Sequence, residues 1–471
     1  MLFSSIPFLY YFLPVVLIAY YLAPKSVKNG VLLLASLVFY AWGEPSFAFL
    51  MLTTIGIGYV SGILIEKFKQ EKYEGKPWSK VAMIVSVGIC LGFLAYFKYA
   101  NFFITNINAA TGISLPLLKV VLPIGISFYT FQLVSYLIDV YWGKVAAQKN
   151  FIILATYITM FPQLIAGPIV RYYDVEKQLK ERSITFDKIA YGIRRFTLGV
   201  GKKILIANVL GEFCAAFKAT DEKSIIFFWA YAIAVSMQIY FDFSGYSDMA
   251  IGLGSMLGFH FIENFNYPFI SKSATEFWRR WHMSLGTWFR DYVYIPLGGS
   301  RCSRARNLLN IFIVWMLTGF WHGAEWTFVV WGLYFGILLM LEKTFLLKWL
   351  EKIPVFGHVY ILLLGIISFV IFDAASLSDA ANHIVSMFGG AGLPVMNGET
   401  AYYLSSYLVI FIIALIGSTP LPKKLFEKAL ETKAGNAVIT ILEPVVMILI
   451  LVVSTGYLVD GSFNPFLYFR F

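Results

Sequence analysis

The sequence predicts an all-α membrane protein that crosses the bilayer about 11–12 times. Its 471 residues are 59% hydrophobic and only 14% charged, and the mean hydropathy is +0.72. This composition is typical of polytopic membrane proteins, whose helices satisfy their own backbone hydrogen bonds within lipid. No polar linker divides the chain, so residues 1–471 are expected to form a single membrane-embedded domain. The net charge of +10 is therefore not taken as a sign of nucleic-acid binding. Instead, the basic residues of each loop are used to predict on which side of the membrane that loop lies.

The predicted spans follow from the apolar stretches. A free-standing span needs roughly 20 apolar residues, and shorter ones occur inside bundles. The first stretch lacks a basic n-region and a small-residue cleavage site, so we expect a retained membrane helix and not a signal peptide. The pairs Gly58/Gly62, Gly88/Gly92 and Gly254/Gly258 have the spacing that predicts close helix contacts. The candidate stretches are about 3–22, 30–42, 46–65, 81–97, 120–141, 196–217, 225–243, 308–321, 326–341, 357–372, 403–417 and 438–457.

The basic residues predict the orientation of these spans. Lysine and arginine concentrate in the cytoplasmic loops of membrane proteins. If all the stretches cross and the N-terminus is outside, every basic cluster falls on the cytoplasmic side, whereas 353–422 contains no lysine or arginine and holds an outside loop around 373–402. We therefore expect a multi-pass protein of the bacterial cytoplasmic membrane with both termini outside. The basic clusters are 25–28, 67–80, 171–203, 272–306, 343–352 and 423–433.

Three apolar segments are poor spanning helices. Residues 151–170 are interrupted by prolines and a glycine, residues 244–270 are rich in glycine and asparagine, and residues 277–297 carry three arginines and an aspartate. Broken backbone at membrane depth persists only where it is buried in protein or lines a wet cavity. We expect at least the first and third segments to be re-entrant or interfacial and to build a cavity from the cytoplasmic side. For 277–297 the alternative is a surface helix lying on anionic lipid.

His322 is the leading candidate for a catalytic residue. It lies in the apolar stretch WMLTGFWHGAEWTFVVW (315–331), where Gly319 and Gly323 leave room for another backbone. An ionisable group at membrane depth usually lines a cavity and carries a function. A buried neutral imidazole is also suited to accept a proton from a hydroxyl as a general base. The alternative is a hydrogen-bonded core histidine without a chemical role.

A second histidine and a set of polar and aromatic residues complete the predicted site. His282 lies in EFWRRWHMSLGTWFRDYVYIPLGGSR (276–301) and is expected to orient groups or share proton transfer. Gln238 and Asp242 are four residues apart, so they share one helix face. The set either lines a tunnel or forms a structural polar network between helices. Its members are Gln132, Gln238, Asp242, Trp281, Arg290, Asp291 and Trp321.

Other kinds of chemistry have no motif in this sequence. The five histidines show no HExxH or HxxxH spacing, so no metal site is expected. No GxSxG motif is present, and the three cysteines form no CxxC pair. We therefore expect no permanently bound cofactor.

Several motifs together resemble the membrane-bound O-acyltransferase (MBOAT) family, in its alginate O-acetylation branch. The resemblance implies a funnel-shaped helical core in which His322, of the WHG motif, is catalytic and His282, of the RRWH motif, is the second functional histidine. It also implies a cytoplasmic acyl-thioester donor, expected to be acetyl-CoA. The acetyl group would cross the membrane to an extracytoplasmic partner, an O-acetyltransferase of serine-hydrolase-like fold, which modifies a cell-surface polysaccharide. The matching stretches are 126–143, 160–174, 238–269, 276–301, 319–332 and the tail NPFLYFRF at 464–471.

Two other functions remain open from the sequence. One is D-alanyl transfer to teichoic acid from a carrier protein, although YIPLGGSR after RDY favours the acetylation branch. The other is a proton-coupled transporter or flippase with His322 as a relay, although no inverted repeat is visible.

The chain departs from the family at Asp373, where relatives often have arginine. We expect little effect on the chemistry, because that position should lie outside.

The C-terminal tail has two interpretations. Its aromatic residues and Arg470 are suited to anchor it at the membrane interface. Alternatively, it folds into the outer mouth of the funnel, where Tyr468 relays the acyl group. A phenol is a workable relay, because its pKa near 10 makes it a better leaving group than a serine alkoxide.

Overall fold

The computed structural model describes residues 1–70 and 74–460, and the regular elements in this part of the chain are helical. Seven of the described helices are long and apolar enough to cross a membrane, judged by length and composition. The predicted all-α, multi-pass membrane class is thereby confirmed. The remaining predicted stretches are also largely helical, but they are shorter or more polar than a free-standing span.

The helices form two compact units, which are described separately. Unit 1 comprises Met1–Phe196 and Met249–Ile262, and unit 2 comprises Thr197–Asp248 and the described residues from Glu263 onward. A compact unit need not fold alone, so the single domain over 1–471 stays a prediction.

Unit 1 opens with the apolar helices of the N-terminal half. The helix Phe151–Thr159, for example, begins after Asn150, whose side chain caps it by accepting hydrogen bonds from the amides of Ile152 and Ile153 at 2.9 and 3.3 Å. In chain order the helices are α1 (Pro7–Leu22), α2 (Lys28–Ala41), α3 (Pro45–Lys67), α4 (Trp78–Thr111), α5 (Ile126–Trp142), α6 (Phe151–Thr159), α7 (Phe161–Leu164), α8 (Tyr172–Lys180) and α9 (Phe186–Gly201), whose residues from Thr197 onward belong to unit 2.

Glycines bring α3 against α5, as the first of the three glycine pairs predicts. A Cβ on Gly58 would overlap the Leu133 side chain, and one on Gly62 would lie 2.7 Å from Tyr136 Oη. A Cβ on Gly254 would likewise lie 2.7 Å from the Phe261 ring. The prediction is wrong for the second pair, because a Cβ on Gly88 or Gly92 would meet no described atom within 4 Å. Small residues permit close packing, but they do not enforce it.

The segment 151–170 is broken and buried, as a re-entrant segment should be. Helix α6 ends at Thr159, α7 lasts only for Phe161–Leu164, and residues 160–170 are all buried. The break occurs at Met160, whose ψ of 109° is not helical, and Pro162 in the next turn has no amide hydrogen with which to continue the hydrogen-bond ladder of α6. Burial within protein is the condition under which such backbone is tolerated at membrane depth.

Unit 2 contains the remaining helices. A π-helical segment, Lys202–Asn208, leads from α9 into them. They are α10 (Val209–Ala219), α11 (Ile225–Met256, of which Met249 onward belongs to unit 1), α12 (Ala274–Trp278), α13 (Met283–Phe289), α14 (Arg304–His322), α15 (Trp326–Leu350), α16 (Pro354–Asp373), α17 (Leu377–Met387), α18 (Gly398–Gly417), α19 (Leu421–Leu430) and α20 (Lys433–Val459).

Helix α11 is the central helix of unit 2. In its most apolar window 72% of residues are buried, against 11% in α18 and 6% in α20, so the last two present their apolar side chains to lipid. Helix α11 is longer than the predicted 225–243, because its glycines are sites of close packing and not breaks. A Cβ on Gly245, for example, would lie 2.9 Å from the carbonyl oxygen of Gly199.

The segment 277–297 consists of short helices, and most of its large apolar side chains lie in protein, with Ile295 as an exposed exception. Helices α12 and α13 are followed by a π-helical turn, Arg290–Tyr294. Trp281, Leu285, Trp288 and Phe289 are all buried. This burial favours the re-entrant interpretation over a surface helix on lipid, which would expose these side chains to acyl chains.

Candidate active site

His322 is the last residue of α14 and is enclosed by aromatic rings. Its side chain is only 4% exposed. The imidazole centroid lies 5.0 Å from the Trp321 ring, 4.9 Å from Trp331 and 5.3 Å from Phe372, with interplanar angles of 80–82°. Edge-to-face contacts of this kind hold a ring in one orientation. The imidazole therefore sits in an aromatic cage of Trp321, Trp331 and Phe372.

Glycines at the crossing of α14 and α15 position this cage. A Cβ on Gly319 would lie 2.5 Å from the carbonyl oxygen of Phe328, and a Cβ on Gly332 would lie 2.5 Å from that of Trp315. The two backbones are therefore in direct contact. This contact places Trp331 of α15 against His322 of α14, as the glycines of the WHG stretch predict.

His282 lies between α12 and α13 in a strained backbone conformation. Its φ and ψ are 44° and 52°, in the left-handed region that non-glycine residues seldom adopt. The side chain is 1% exposed, and its ring lies edge-on to Phe243 at 4.7 Å. A residue held in such a conformation is stabilised by its surroundings and is common at functional sites.

Asn264 supplies the polar contacts of His282. Its Oδ1 lies 3.1 Å from His282 Nδ1, and it also accepts from Ser284 Oγ at 2.9 Å and from the Ser284 amide at 3.2 Å. On the other side, Asn264 Nδ2 donates to Ser247 Oγ at 3.1 Å. His282 Nε2 is buried and has no hydrogen-bond partner among the described residues.

Trp321 connects the two histidines. Its ring lies 5.7 Å from the His282 ring and 5.0 Å from the His322 ring, centroid to centroid. The structure therefore brings His282, His322 and Trp321 together within unit 2, as the sequence analysis anticipates. Their roles in a reaction stay predictions.

Burial keeps His282 neutral. Desolvation lowers the pKa of its imidazole from 6.5 to about 3. A buried charged imidazole would lose its hydration, and no described carboxylate is among the contacts that would compensate. At neutral pH the ring therefore carries one proton, on one of its two nitrogens.

The polar residues of α11 form a structural pairing. Asp242 makes a buried ion pair with Lys203 Nζ at 2.5 Å, and Asp248 pairs with Lys202 at 2.7 Å. Gln238 is buried on the same helix. These pairs join α11 to the π-helical segment Lys202–Asn208, which agrees with the structural-network interpretation of Asp242.

The remaining predicted site residues make other contacts, and one of them lies outside the described residues. Trp281 packs in the aromatic core against Phe265 and Phe369, each at 5.1 Å. Arg290 pairs with its neighbour Asp291 at 2.7 Å and is largely exposed. Gln132 belongs to unit 1, where its backbone carbonyl accepts from Ser135 Oγ. Tyr468, the predicted relay, lies outside the described residues.

Three residues of the site were not anticipated from the sequence. Asn264 and Phe243 contact His282, and Phe372 contacts His322. Phe243 and Phe372 lie in apolar stretches like many other phenylalanines, and Asn264 lies in a polar loop, so no periodicity distinguishes them. The polar run around Asn264 within the conspicuous stretch 238–269 was the one available signal.

Asp373 anchors the end of α16 beside the cage. Its Oδ2 accepts from Tyr231 Oη at 2.5 Å and from Lys218 Nζ at 2.8 Å. Because Phe372 packs on His322, these two bonds hold the end of α16 next to the imidazole. The expectation that Asp373 has little effect on the chemistry stays a prediction.

No metal-binding cluster stands out near this site. Among the described residues, no group of three or more histidine, cysteine, aspartate or glutamate side chains is arranged to hold a metal ion. The groups available for chemistry in the cage are the two imidazoles. They are suited to proton transfer in a desolvated, aromatic environment.

Comparison with known proteins identifies relatives along the whole chain. Residues 145–377 match the membrane-bound O-acyltransferase family. A probable alginate O-acetylase of Azotobacter vinelandii is 39% identical over 100% of both chains. A peptidoglycan O-acetyltransferase of Helicobacter pylori is 34% identical over 73% of this chain and 71% of its own. A teichoic acid D-alanyltransferase of Bacillus subtilis is 32% identical over 49% of this chain and 60% of its own.

Proposed function

This chain belongs to the membrane-bound O-acyltransferase family, and from that premise we propose that it moves an acetyl group from a cytoplasmic thioester across the membrane for O-acetylation of a cell-surface polysaccharide. The full-length similarity to a protein named as a probable alginate O-acetylase supports this substrate class. The similarity to a peptidoglycan O-acetyltransferase supports acetyl as the transferred group and leaves more than one polymer as the acceptor.

The observation that carries the proposal is the pair of buried histidines joined by one tryptophan. Both imidazoles are nine-tenths or more buried, and both contact the Trp321 ring. Burial keeps an imidazole neutral, so its unprotonated nitrogen is available to accept a proton from a bound hydroxyl. A site of this kind suits the activation of a hydroxyl for attack on an acyl group.

In the proposed step His322 is the general base. The acceptor hydroxyl gives its proton to the His322 imidazole as its oxygen attacks the thioester carbonyl carbon. The new C–O bond forms, the C–S bond breaks, and the departing thiolate takes the proton back from the imidazolium. Such a base typically contributes about 10²–10⁴ in rate. The aromatic cage limits the imidazole to one orientation relative to the reacting atoms.

His282 is proposed to share the proton transfer or to orient the donor. Its distance from His322 is spanned by one indole ring, so both act in one desolvated region. With Nδ1 bonded to Asn264, Nε2 is the ring atom left for a substrate. No permanently bound cofactor is required, because the thioester brings its own activated acyl group.

The donor, the partner and the orientation complete the proposal. The donor is acetyl-CoA or another acyl thioester on the cytoplasmic side. In this proposal the protein lies in the bacterial cytoplasmic membrane with both termini outside. The partner outside is an O-acetyltransferase of serine-hydrolase-like fold that delivers the acetyl group to the polymer. Tyr468 remains the candidate relay between His322 and that partner.

D-alanyl transfer from a carrier protein is the alternative reaction. The relative with that name aligns with only about half of this chain, whereas the alginate relative aligns with all of it. Acetyl transfer is therefore favoured. Both reactions use the same step at His322, so the choice of donor distinguishes them.

The test uses the purified full-length protein in proteoliposomes. Release of free thiol from acetyl-CoA is compared with release from a D-alanyl carrier-protein thioester, and ester-linked acetate on the polymer is measured in expressing cells. We expect acetyl-CoA turnover, and we expect His322→Gln to lower it by about 10²–10⁴. His260→Gln, at an exposed histidine, is the matched control.

Three outcomes would contradict parts of the proposal. Turnover of the D-alanyl thioester alone would establish the alternative donor. Near-normal acetyl transfer in a folded His322→Gln variant would remove the general-base role. Turnover of neither thioester, with transport of a solute or lipid instead, would overturn the enzymatic function.

A further inference from the structure

The amide side chain of Asn264 is the centre of the hydrogen-bond network around His282. Asn264 is fully buried, with 0% of its surface exposed. Its side chain contacts Ser247 through Nδ2, and Ser284 and His282 through Oδ1. Its backbone carbonyl accepts from the Met283 amide at 3.0 Å. Asn264 therefore holds both the ring of His282 and the backbone that follows it.

The identity of the amide oxygen follows from a backbone donor. An amide N–H can only donate, so the atom of Asn264 that faces the Ser284 amide at 3.2 Å has to be Oδ1. The opposite assignment would place two donors against each other and leave a buried N–H unsatisfied. The orientation of the Asn264 side chain is thereby determined without reference to the histidine.

This orientation determines the tautomer of His282. An amide oxygen only accepts, so His282 Nδ1, 3.1 Å away, has to carry the proton that it donates. Ser284 Oγ also lies 3.4 Å from Nδ1, but its proton is directed to Asn264 Oδ1 at the shorter distance of 2.9 Å. A neutral imidazole has one N–H, and Nε2 is then the unprotonated nitrogen with a lone pair. Burial disfavours a second proton on the ring, because the charged form would be desolvated.

We propose that Asn264 is a positioning residue that holds His282 in the Nδ1–H tautomer, so that Nε2 is the unprotonated nitrogen through which His282 shares the proton transfer with His322. This inference rests on the proposed function, since it assigns a reacting atom to the same site. Without Asn264, both tautomers become accessible, and the one protonated on Nε2 cannot accept a proton.

The tautomer is measured directly by ¹⁵N spectroscopy of protein labelled only at histidine. The chain has five histidines, so the spectrum is simple, and loss of signals in His282→Gln assigns the residue. Protonated and unprotonated ring nitrogens have well-separated ¹⁵N shifts. We expect wild-type His282 to show a protonated Nδ1 and an unprotonated Nε2. A protonated Nε2 in the wild type would overturn the inference, whatever the variants do.

Two variants and one control connect the tautomer to activity. Asn264→Leu removes the acceptor at similar size, and we expect a mixture of tautomers and a loss of acetyl transfer of roughly 10–100-fold, as for other residues that orient a functional histidine. Asn264→Asp retains an acceptor, so it should keep Nδ1 protonated and recover part of that loss. Ser247→Ala removes only the partner of Nδ2 and should keep both the tautomer and most of the activity.

The outcomes separate this inference from the proposed function. An unchanged tautomer in Asn264→Leu would overturn the inference while acetyl transfer by the wild type still stood. A shifted tautomer with normal turnover would show that His282 Nε2 is not the acceptor and would also overturn it. If the wild type transfers no acetyl group, the function fails, and the ¹⁵N spectrum still decides whether Asn264 sets the tautomer.

A second inference concerns α19, which connects the two lipid-facing spans α18 and α20. Its described residues are almost all exposed, including Leu425 at 59%. At 100° per residue, its apolar side chains occupy one half of the helix and its charged side chains the other half. The apolar half contains Leu421, Pro422, Leu425, Phe426, Ala429 and Leu430, and the charged half contains Lys423, Lys424, Glu427 and Lys428.

The surroundings of α19 indicate what covers this apolar half. Helix α18 ends at Gly417 and α20 begins at Lys433, so α19 has to run where two spans leave and re-enter the bilayer. Lys423 pairs with Glu427 at 3.7 Å, while Lys424 and Lys428 add two further positive charges on the same half of the helix. We infer that α19 lies in the membrane interface and binds anionic phospholipid headgroups through these lysines.

Phosphatidylglycerol retained by the purified full-length protein tests this inference. Native mass spectrometry after reconstitution in phosphatidylcholine mixed with phosphatidylglycerol counts the bound anionic lipid. We expect Lys424→Glu to weaken retention about 5-fold or more, since one surface lysine contributes about 1 kcal/mol. Lys119→Glu, at an exposed lysine outside α19, is the control and should change little. Equal retention by both variants and the wild type would overturn the inference.

Discussion

At the residue scale, the two histidines are surrounded in different ways. His322 is enclosed by rings, and His282 is held by a ring on one side and by an amide on the other. An aromatic cage restricts where an imidazole points, whereas an amide acceptor also selects which nitrogen carries the proton. This difference makes His282 the residue whose protonation state is better determined by its neighbours.

The low pKa of His282 predicts how stability depends on pH. In the unfolded chain the imidazole takes up a proton near pH 6.5, whereas in the folded protein it does so only near pH 3. Between these values the unfolded state binds more protons, so the stability contribution of His282 is complete above pH 6.5 and is lost as the pH falls toward 3. The expected slope is about 1.4 kcal/mol per pH unit for this one group.

Thermal unfolding in detergent at pH 7, 5.5 and 4.5 checks this expectation. His282→Gln removes the titrating group, so its unfolding temperature should fall less between pH 7 and 4.5 than that of the wild type. His260→Gln, at an exposed histidine, should retain the wild-type pH dependence. The same pH dependence in wild type and His282→Gln would contradict the burial argument.

At the element scale, the contact between α14 and α15 determines the geometry of the His322 cage. The two helices touch through backbone atoms at Gly319 and Gly332, which brings Trp331 within 4.9 Å of the imidazole. Any side chain at these positions has to separate the helices. The cage therefore depends on residues that never contact a substrate.

Gly319→Ala should impair both stability and activity. The added Cβ would lie 2.5 Å from the Phe328 carbonyl oxygen, which is backbone and cannot rotate away. Overpacking of this kind typically costs about 1–3 kcal/mol. Thermal unfolding and acetyl-CoA turnover are the measurements.

Gly365→Ala is the matched control for that substitution. Gly365 lies inside α16, and a Cβ there would meet no described atom within 4 Å. Alanine is favoured over glycine in a helix, so this variant should be at least as stable as the wild type. If both variants behave alike, the α14–α15 contact is not what positions the cage.

At the scale of the whole molecule, the orientation in the membrane is the prediction that function depends on most. The donor is proposed to be cytoplasmic and the acceptor outside, so the basic loops and the loop without basic residues have to lie on opposite sides. Lys76 belongs to a basic loop, and Ser378 belongs to the predicted outside loop; both are exposed.

Single cysteines at these two positions test the orientation. In a background without Cys90, Cys214 and Cys302, an impermeant thiol reagent added to intact cells should label Ser378→Cys rapidly and Lys76→Cys only after the cells are opened. Each cysteine variant serves as the control for the other. Rapid labelling of Lys76→Cys in intact cells would show that this loop lies outside and would contradict the proposed route of the acyl group.

The sequence by itself determined the class, the approximate helices and the two histidines. Apolar length predicts spans because every backbone polar group in lipid has to be satisfied within its own helix, and this requirement is local. Glycine and tryptophan around His322 likewise indicate a packed aromatic site. Broken segments such as 151–170 were also recognisable, because proline and glycine act on the backbone next to them.

Only the tertiary structure decided which distant residues meet at those histidines. Asn264 reaches His282 from a loop 18 residues earlier in the chain, and Phe372 reaches His322 from another helix. It also decided that Asp242 pairs with Lys203, and that Gly58 and Gly62 are contacts while Gly88 and Gly92 are not. The pattern of residue types along the chain predicts the local structure of each helix, because that structure depends on neighbouring residues. The pairings between helices depend instead on how the helices pack against one another.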